Sequence, residues 1–308
     1  MLVLGVDENG LGPVLGPLVA TSVAMEMPRY QRSALRRRGL ALGLTDSKQS
    51  GGFGKMQFVE SVALALLAGE RGQGVPESAD GVLDRVFRDG RARLQACCPD
   101  DPTADQCWAV ELPLPIFGGD PAAGREVLDK LVGRSRLRIV DVRSRVACAG
   151  MLNAERAAGK HKFHVDFDLF EDLIASTHRT HGVPVLAICG MIGGIRDYAS
   201  RFRLFDRDRI EPIAGRRSER RYAVEGVGEI RFEIDADARH LPVALASMVG
   251  KYVRELCMLR IGEFYRRGDP DLKLASGYRD PVTKRFIQAT SLLRKQFGIA
   301  NECFRRES

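Results

Sequence analysis

The chain has no run of apolar residues near the ~20 needed to cross a bilayer, so no membrane span is expected. Its start, Met1-Leu2-Val3-Leu4-Gly5-Val6-Asp7, has no basic segment ahead of the apolar run, which stops at Asp7. A cleaved secretory leader is therefore not expected. It has no CxxC pair. The seven cysteines, Cys97, Cys98, Cys107, Cys148, Cys189, Cys257 and Cys303, are odd in number and irregularly spaced. Reduced thiols in a cytoplasmic protein are expected, rather than a disulfide frame or a zinc site. No internal repeat is evident.

What is present is ordinary in bulk. Of 308 residues, 44% are hydrophobic and 28% charged, enough for one large domain with a packed core. Net charge is +7. An excess of cations favours anionic partners, nucleic acid the commonest among them.

The first stretch organises the rest. Leu2–Val6 reads as a buried strand. Asp7 and Glu8 follow, then a turn containing Gly10, Gly12, Pro13, Gly16 and Pro17. Adjacent strand residues point to opposite faces, so both carboxylates can meet one cation only where the strand is ending. Glycines at 10 and 12 allow close backbone approach. The arrangement suits a divalent metal beside a phosphodiester; a solvated strand end with a tight turn is the plain alternative.

Further along, residues 17–25, 137–143, 184–189 and 230–235 read as strands, and 110–117 as an edge strand. Residues 55–69, 144–159, 166–180, 195–203, 241–266 and 281–296 read as helices. The region from about 70 to 135 reads as an accessory insertion in a single domain spanning 1–308. Arginines crowd 201–221, either as a solvated loop with local ion pairs or as a patch that tracks a phosphate backbone. Asp235 and Asp237 end the strand at 230–234, although Asp237 could instead cap the following helix. In that helix Ser247, Lys251 and Glu255 share a face. Carboxylates after separate strands are the usual oxygen donors for Mg²⁺ or Mn²⁺. Alternating strands and helices after a leading hairpin imply an α/β fold with a mixed sheet.

Four collinear motifs resemble type 2 ribonuclease H (ribonuclease HII): Gly5-Val6-Asp7-Glu8-Asn9-Gly10-Leu11-Gly12-Pro13 with Gly16-Pro17; Asp46-Ser47-Lys48; Ala236-Asp237 followed by Ala244–Lys251 and Arg254-Glu255; and Gly277-Tyr278. The resemblance implies a ribonuclease H-like fold, a mixed central sheet flanked by helices with a helical C-terminal part. It implies Mg²⁺- or Mn²⁺-dependent endonucleolytic cleavage of RNA in RNA/DNA hybrids or ribonucleotide-containing duplexes, leaving 5′-phosphate ends. Carried over residue by residue, Asp7, Glu8 and Asp237 match the catalytic metal ligands. Gly10, Gly12, Lys48, Ser247, Lys251 and Tyr278 match positions at the substrate. Three positions depart. Leu11 replaces an arginine between the glycines. A metal-binding aspartate is replaced, at Cys189 or, in a shifted alignment, at Gly190, with Asp141, Asp197 and Asp235 as conceivable substitutes. The family's histidine after the Gly-Tyr turn is replaced around Lys284-Arg285. These departures favour a second reading beside the first: a nucleic-acid-binding protein on a catalytically impaired scaffold.

Overall fold

The computed structural model describes residues 1–45, 53–69, 74–87, 90, 92–95, 98, 105–133, 136–195, 197–214 and 216–307. Asp46, Ser47 and Lys48 lie outside them.

The strands are β1 (Leu2–Asn9), β2 (Leu18–Glu26), β3 (Arg138–Ala147), β4 (Val185–Gly190), β5 (Ile210–Ile213), β6 (Glu219–Val224) and β7 (Gly228–Glu233). They form one sheet in the order β3-β2-β1-β4-β7-β6-β5. β1, β4 and β7 run parallel at its centre, and the other neighbours pair antiparallel. The helices are α1 (Arg32–Ala41), α2 (Phe53–Gly69), α3 (Ala79–Val86), α4 (Ala92–Gln95), α5 (Pro121–Val132), α6 (Ala149–Ala157), α7 (Lys162–His181), α8 (Ala236–Arg239), α9 (Leu241–Arg266), α10 (Pro281–Ala289), α11 (Ser291–Gln296) and α12 (Asn301–Phe304). This is the mixed sheet with flanking helices and a helical C-terminal part that the sequence implies.

β1 is central because both its faces are covered. Leu2, Leu4 and Val6 pack in one core with Phe167, Phe170 and Leu173 of α7. Val3 packs in the other core with Leu245 and Val249 of α9. A strand buried on both sides reads as an unbroken apolar run. Gly5 lets α9 lie directly on the strand, since a Cβ there would be 2.1 Å from the Pro242 carbonyl carbon. α9 carries the Ala244, Ala246, Ser247 and Gly250 series over β1 and β2.

Several segments differ from the sequence reading. Residues 144–147 belong to β3, not to a helix, and pair with β2 down to Ala147 opposite Leu18. The signal was hidden because Arg143 and Arg145 are buried in the strand through ion pairs with Asp141 and Asp172. The arginine-dense stretch contains the β5–β6 hairpin. There Arg221 faces Arg231 across the strands, and Glu229 binds both at 2.7 and 2.8 Å. Local ion pairing, not an open cationic track, describes that part. Residues 110–117 form no strand and contribute one bridge, Pro113 to Ser78. Among the described residues of the expected helix at 195–203, only a short 3₁₀ turn, Ala199–Arg201, is helical. Thr290 divides 281–296 into α10 and α11.

Candidate active site

The parallel strands β1 and β4 pair Val6 with Cys189, so Asp7 and Gly190 stand side by side at one end of the sheet. Gly190 in turn pairs with Glu233 of β7. Cys189 points into the α7-side core with Val6 and Phe232. Strand alternation then turns Gly190 to the α9 face. A Cβ built on Gly190 would lie 2.9 Å from Asp7 Oδ1 and 3.4 Å from Glu8 Oε2. The side-chain position between the two carboxylates is therefore the one at Gly190. Cys189 does not occupy it, which corrects the alignment that placed the thiol there. Asp7 and Glu8, consecutive on a strand that is ending, reach one point, as a shared cation requires.

Asp237, on α8, lies near enough for its charge to act on Asp7. It is buried, and its Oδ1 accepts the Ala238 N–H at 2.9 Å. Burial holds the Asp7 carboxyl well above the usual carboxylate range. The negative charges of Glu8 and Asp237 push it the same way, while the Ser247 hydroxyl and the Glu8 N–H oppose the rise. The Ser247 hydroxyl is buried and in hydrogen-bonding geometry with no atom of the described residues. It influences Asp7 by proximity, not through a formed bond. Lys251 follows one turn later on α9, partly exposed.

The other carboxylates considered do not complete the set. Asp141 is tied to Arg143 and lies 3.7 Å from His181. It pairs with Ala24, opposite Leu4, three residues back from Asp7. Asp197 is exposed and accepts the Ala199 N–H. Asp235 is exposed, with left-handed backbone at φ 52°. The sequence shows Glu233 only as part of a strand, yet it stands beside Gly190. Its Oε2 is 3.0 Å from His240 Nε2 and 3.3 Å from Arg239; those partners claim it. Asp166 of α7 was also missed. It is fully buried without a hydrogen-bond partner among the described residues, and burial, helped by the charge of Asp7, pushes its carboxyl far upward.

Asp7, Glu8 and Asp237 fit a hard divalent cation in chemistry and in charge. Clustered carboxylates that repel one another are relieved by a bound cation. Among the described residues, however, no group of three or more His, Cys, Asp or Glu side chains is placed so that it could hold a metal ion. Gly190 itself adds no donor side chain between Asp7 and Glu8.

The turn after β1 is held by two arginines. Gly10 has φ +90°, and a Cβ there would meet Arg254 Nε at 2.6 Å. Arg306 donates through Nε to the Gly16 carbonyl at 2.7 Å and through Nη1 to the carbonyls of Gly10 and Pro13. Arg254 donates to the Ser276 carbonyl at 2.9 Å, and the Gly277 carbonyl accepts from Val14 and Leu15. The Gly-Tyr turn is thereby fastened to the Gly-Pro turn. Tyr278 is exposed, with the Arg254 guanidinium 5.0 Å from its ring centre. Around Gly12 the backbone is open, with nothing within 4 Å of a built Cβ. Leu11 packs on the cluster of Leu18, Ala147, Leu152 and Val165, so this residue serves the core. Lys284 and Arg285 are exposed on α10. Arg306 gave no signal in the sequence, because nothing local links residue 306 to residue 10.

No protein-family model matches the chain. A curated relative, ribonuclease HII of Gluconobacter oxydans (strain 621H), is 33% identical over 132 residues, covering 39% of this chain and 58% of the relative. The match thus spans a little over half of that protein's length. Among solved structures, the ribonuclease HII of the PCNA:RNase HII complex from Archaeoglobus fulgidus is 18% identical, with a TM-score of 0.45 over 99% of this chain and 94% of that one. The ribonuclease H2 of Pyrococcus horikoshii OT3 is 15% identical, with a TM-score of 0.46 over 99% and 92%.

Proposed function

We propose that this chain, a divergent homologue of ribonuclease HII, is a divalent-metal-dependent endonuclease that hydrolyses RNA in RNA/DNA hybrids or ribonucleotide-containing duplexes to 5′-phosphate ends. The observation that carries the reading is the convergence of Asp7 Oδ1 and Glu8 Oε2 on the point above Gly190, with Asp237 close enough to raise the Asp7 pKa. Asp7, Glu8 and Asp237 would hold Mg²⁺ or Mn²⁺, which when bound supplies an activated water and offsets phosphate charge. Ser247 lies beside Asp7 on α9. Gly12 presents open backbone to the substrate, and Gly10, buried against Arg254 with its carbonyl held by Arg306, shapes the turn that does so. The exposed ring of Tyr278, backed by Arg254, is a stacking surface for a nucleotide. Lys251, and Lys48 from outside the described residues, would neutralise backbone phosphates.

One observation favours a second reading. Gly190 puts hydrogen where a fourth donor would complete the shell, which suits a scaffold that binds nucleic acid and cleaves it poorly or not at all.

Incubation of the protein with Mg²⁺ or Mn²⁺ and three duplexes separates the readings: an RNA/DNA hybrid, a DNA duplex with one ribonucleotide, and an all-DNA duplex. The nuclease reading predicts cuts in the first two, 5′-phosphate products and no cut in the third. Asp7→Asn should lower the rate about 100-fold or more, at or beyond the upper end of what losing a ligand's supporting partner costs. Tight binding without cleavage, converted to cleavage by Gly190→Asp, would establish the second reading. Failure to bind any of the three would overturn both.

A further inference from the structure

A cavity of about 350 Å³ opens beside the Gly-Pro turn, between Gly12 and Pro13, the turn that starts α7, and the C-terminal tail. Its polar lining is largely cationic. Lys162, Arg279 and Arg306 line it, and none has an ion-pair partner among the described residues. Arg156 and Lys160 line it as well, but are at least partly neutralised: Arg156 lies 3.9 Å from Glu307, and Lys160 pairs with Glu155 and Asp168. Among the described residues, Glu307 is the only acid in the lining.

Arg306 is the distinctive member. It is 7% exposed, and its three hydrogen bonds all go to neutral backbone carbonyls. Its Nη2 is buried and unpartnered. Burial pushes its guanidinium down to about 9, with the like charge of Arg254 adding to the effect. A buried cation without a counter-ion is costly, and an anion in reach removes that cost. The 20-residue helix α7 starts at Lys162 on the cavity wall, so its positive dipole end adds to the field there.

We propose that this cavity is a phosphate site, filled by a backbone phosphate of the nucleic acid that the carboxylates act on. The proposal rests on the nuclease reading for its ligand's source, though not for the site's chemistry. Location supports that source. Gly12 is four residues beyond Glu8, at most ~14 Å of chain. A strand lying over the carboxylates, with a phosphate about every 3.4 Å of rise, passes the cavity within roughly four nucleotides.

The test uses Lys162→Gln/Arg279→Gln, two exposed side chains outside the carboxylate cluster, so Arg306 keeps its role in the turn. Affinity for an RNA/DNA hybrid is measured in EDTA across a salt series, with thermal melts of both proteins in inorganic phosphate alongside. The double variant should bind several-fold more weakly, with the slope of log K against log salt smaller by about one to two. Phosphate should raise the melting temperature of the wild type but not of the variant. An unchanged slope together with an unchanged phosphate response overturns the site. If the wild type binds no hybrid, the nuclease reading falls and the phosphate melts decide alone. A response lost in the variant then supports a site for free phosphate; no response in the wild type overturns it.

Discussion

At the scale of single residues, the site turns on which side chains meet at the end of β1. Burial raises the Asp7 carboxyl above its unfolded value, and Glu8 and Asp237 add to the rise. An acid whose folded pKa is raised contributes no penalty while protonated. It loses stability as pH climbs from the unfolded carboxylate range through the folded value. Asp7→Asn removes that loss. In metal-free thermal melts it should therefore be more stable than wild type at neutral pH, by about 0.5–2 kcal/mol. The gain should vanish below the unfolded carboxylate range. A gain equal at all pH values would mean that Asp7 is not ionised against its neighbours. The motif order singles out Asp7, Glu8 and Asp237, and the structure brings Asp7 and Glu8 within reach of one point. Gly190 was not decidable there, because a slip of one residue exchanges the two faces of a strand. Only pairing with β1 fixes which of Cys189 and Gly190 looks at Asp7.

At the scale of elements, one buried carboxylate fastens the region before β3 to the body. Glu60 of α2 accepts the N–H groups of Ile116, Phe117 and Gly119, each at 2.8 Å, and the Tyr252 hydroxyl of α9 at 3.0 Å. Glu60→Ala strands those donors in the interior. The expected loss is about 3–5 kcal/mol, the range for breaking a buried charged network. Glu60→Gln, which keeps one acceptor, should lose less. Urea titration reads both as a lower midpoint at constant slope; an unchanged midpoint for Glu60→Ala would refute the role. Periodicity exposed the long elements β1, β2 and α9. It missed the end of β3 and the β5–β6 hairpin, where Arg145 and Arg221 are matched by Asp172 of α7 and Glu229 of β7. A charged residue paid for by a distant partner looks like loop when the partner cannot be seen.

At the scale of the molecule, net charge of +7 says only that anions are favoured; the fold decides where. Part of the arginine excess at 201–221 is spent on the edge hairpin. Three cations without ion pairs among the described residues, Lys162 of α7, Arg279 beside the Gly-Tyr turn and Arg306 of the C-terminal tail, lie beside the Gly-Pro turn. The same turn leads back to Asp7 and Glu8, so the acidic and basic features adjoin, as the proposed cleavage of a phosphodiester requires. The central claim is that the acidic strand end holds a divalent cation. Titration of Mn²⁺ into the wild type and Asp7→Asn at neutral pH, followed by the loss of the free-ion paramagnetic signal, tests it most directly. The account predicts a saturable site in the wild type that Asp7→Asn abolishes and Gly190→Asp tightens. Equal Mn²⁺ binding by wild type and Asp7→Asn, or none by the wild type, would contradict it.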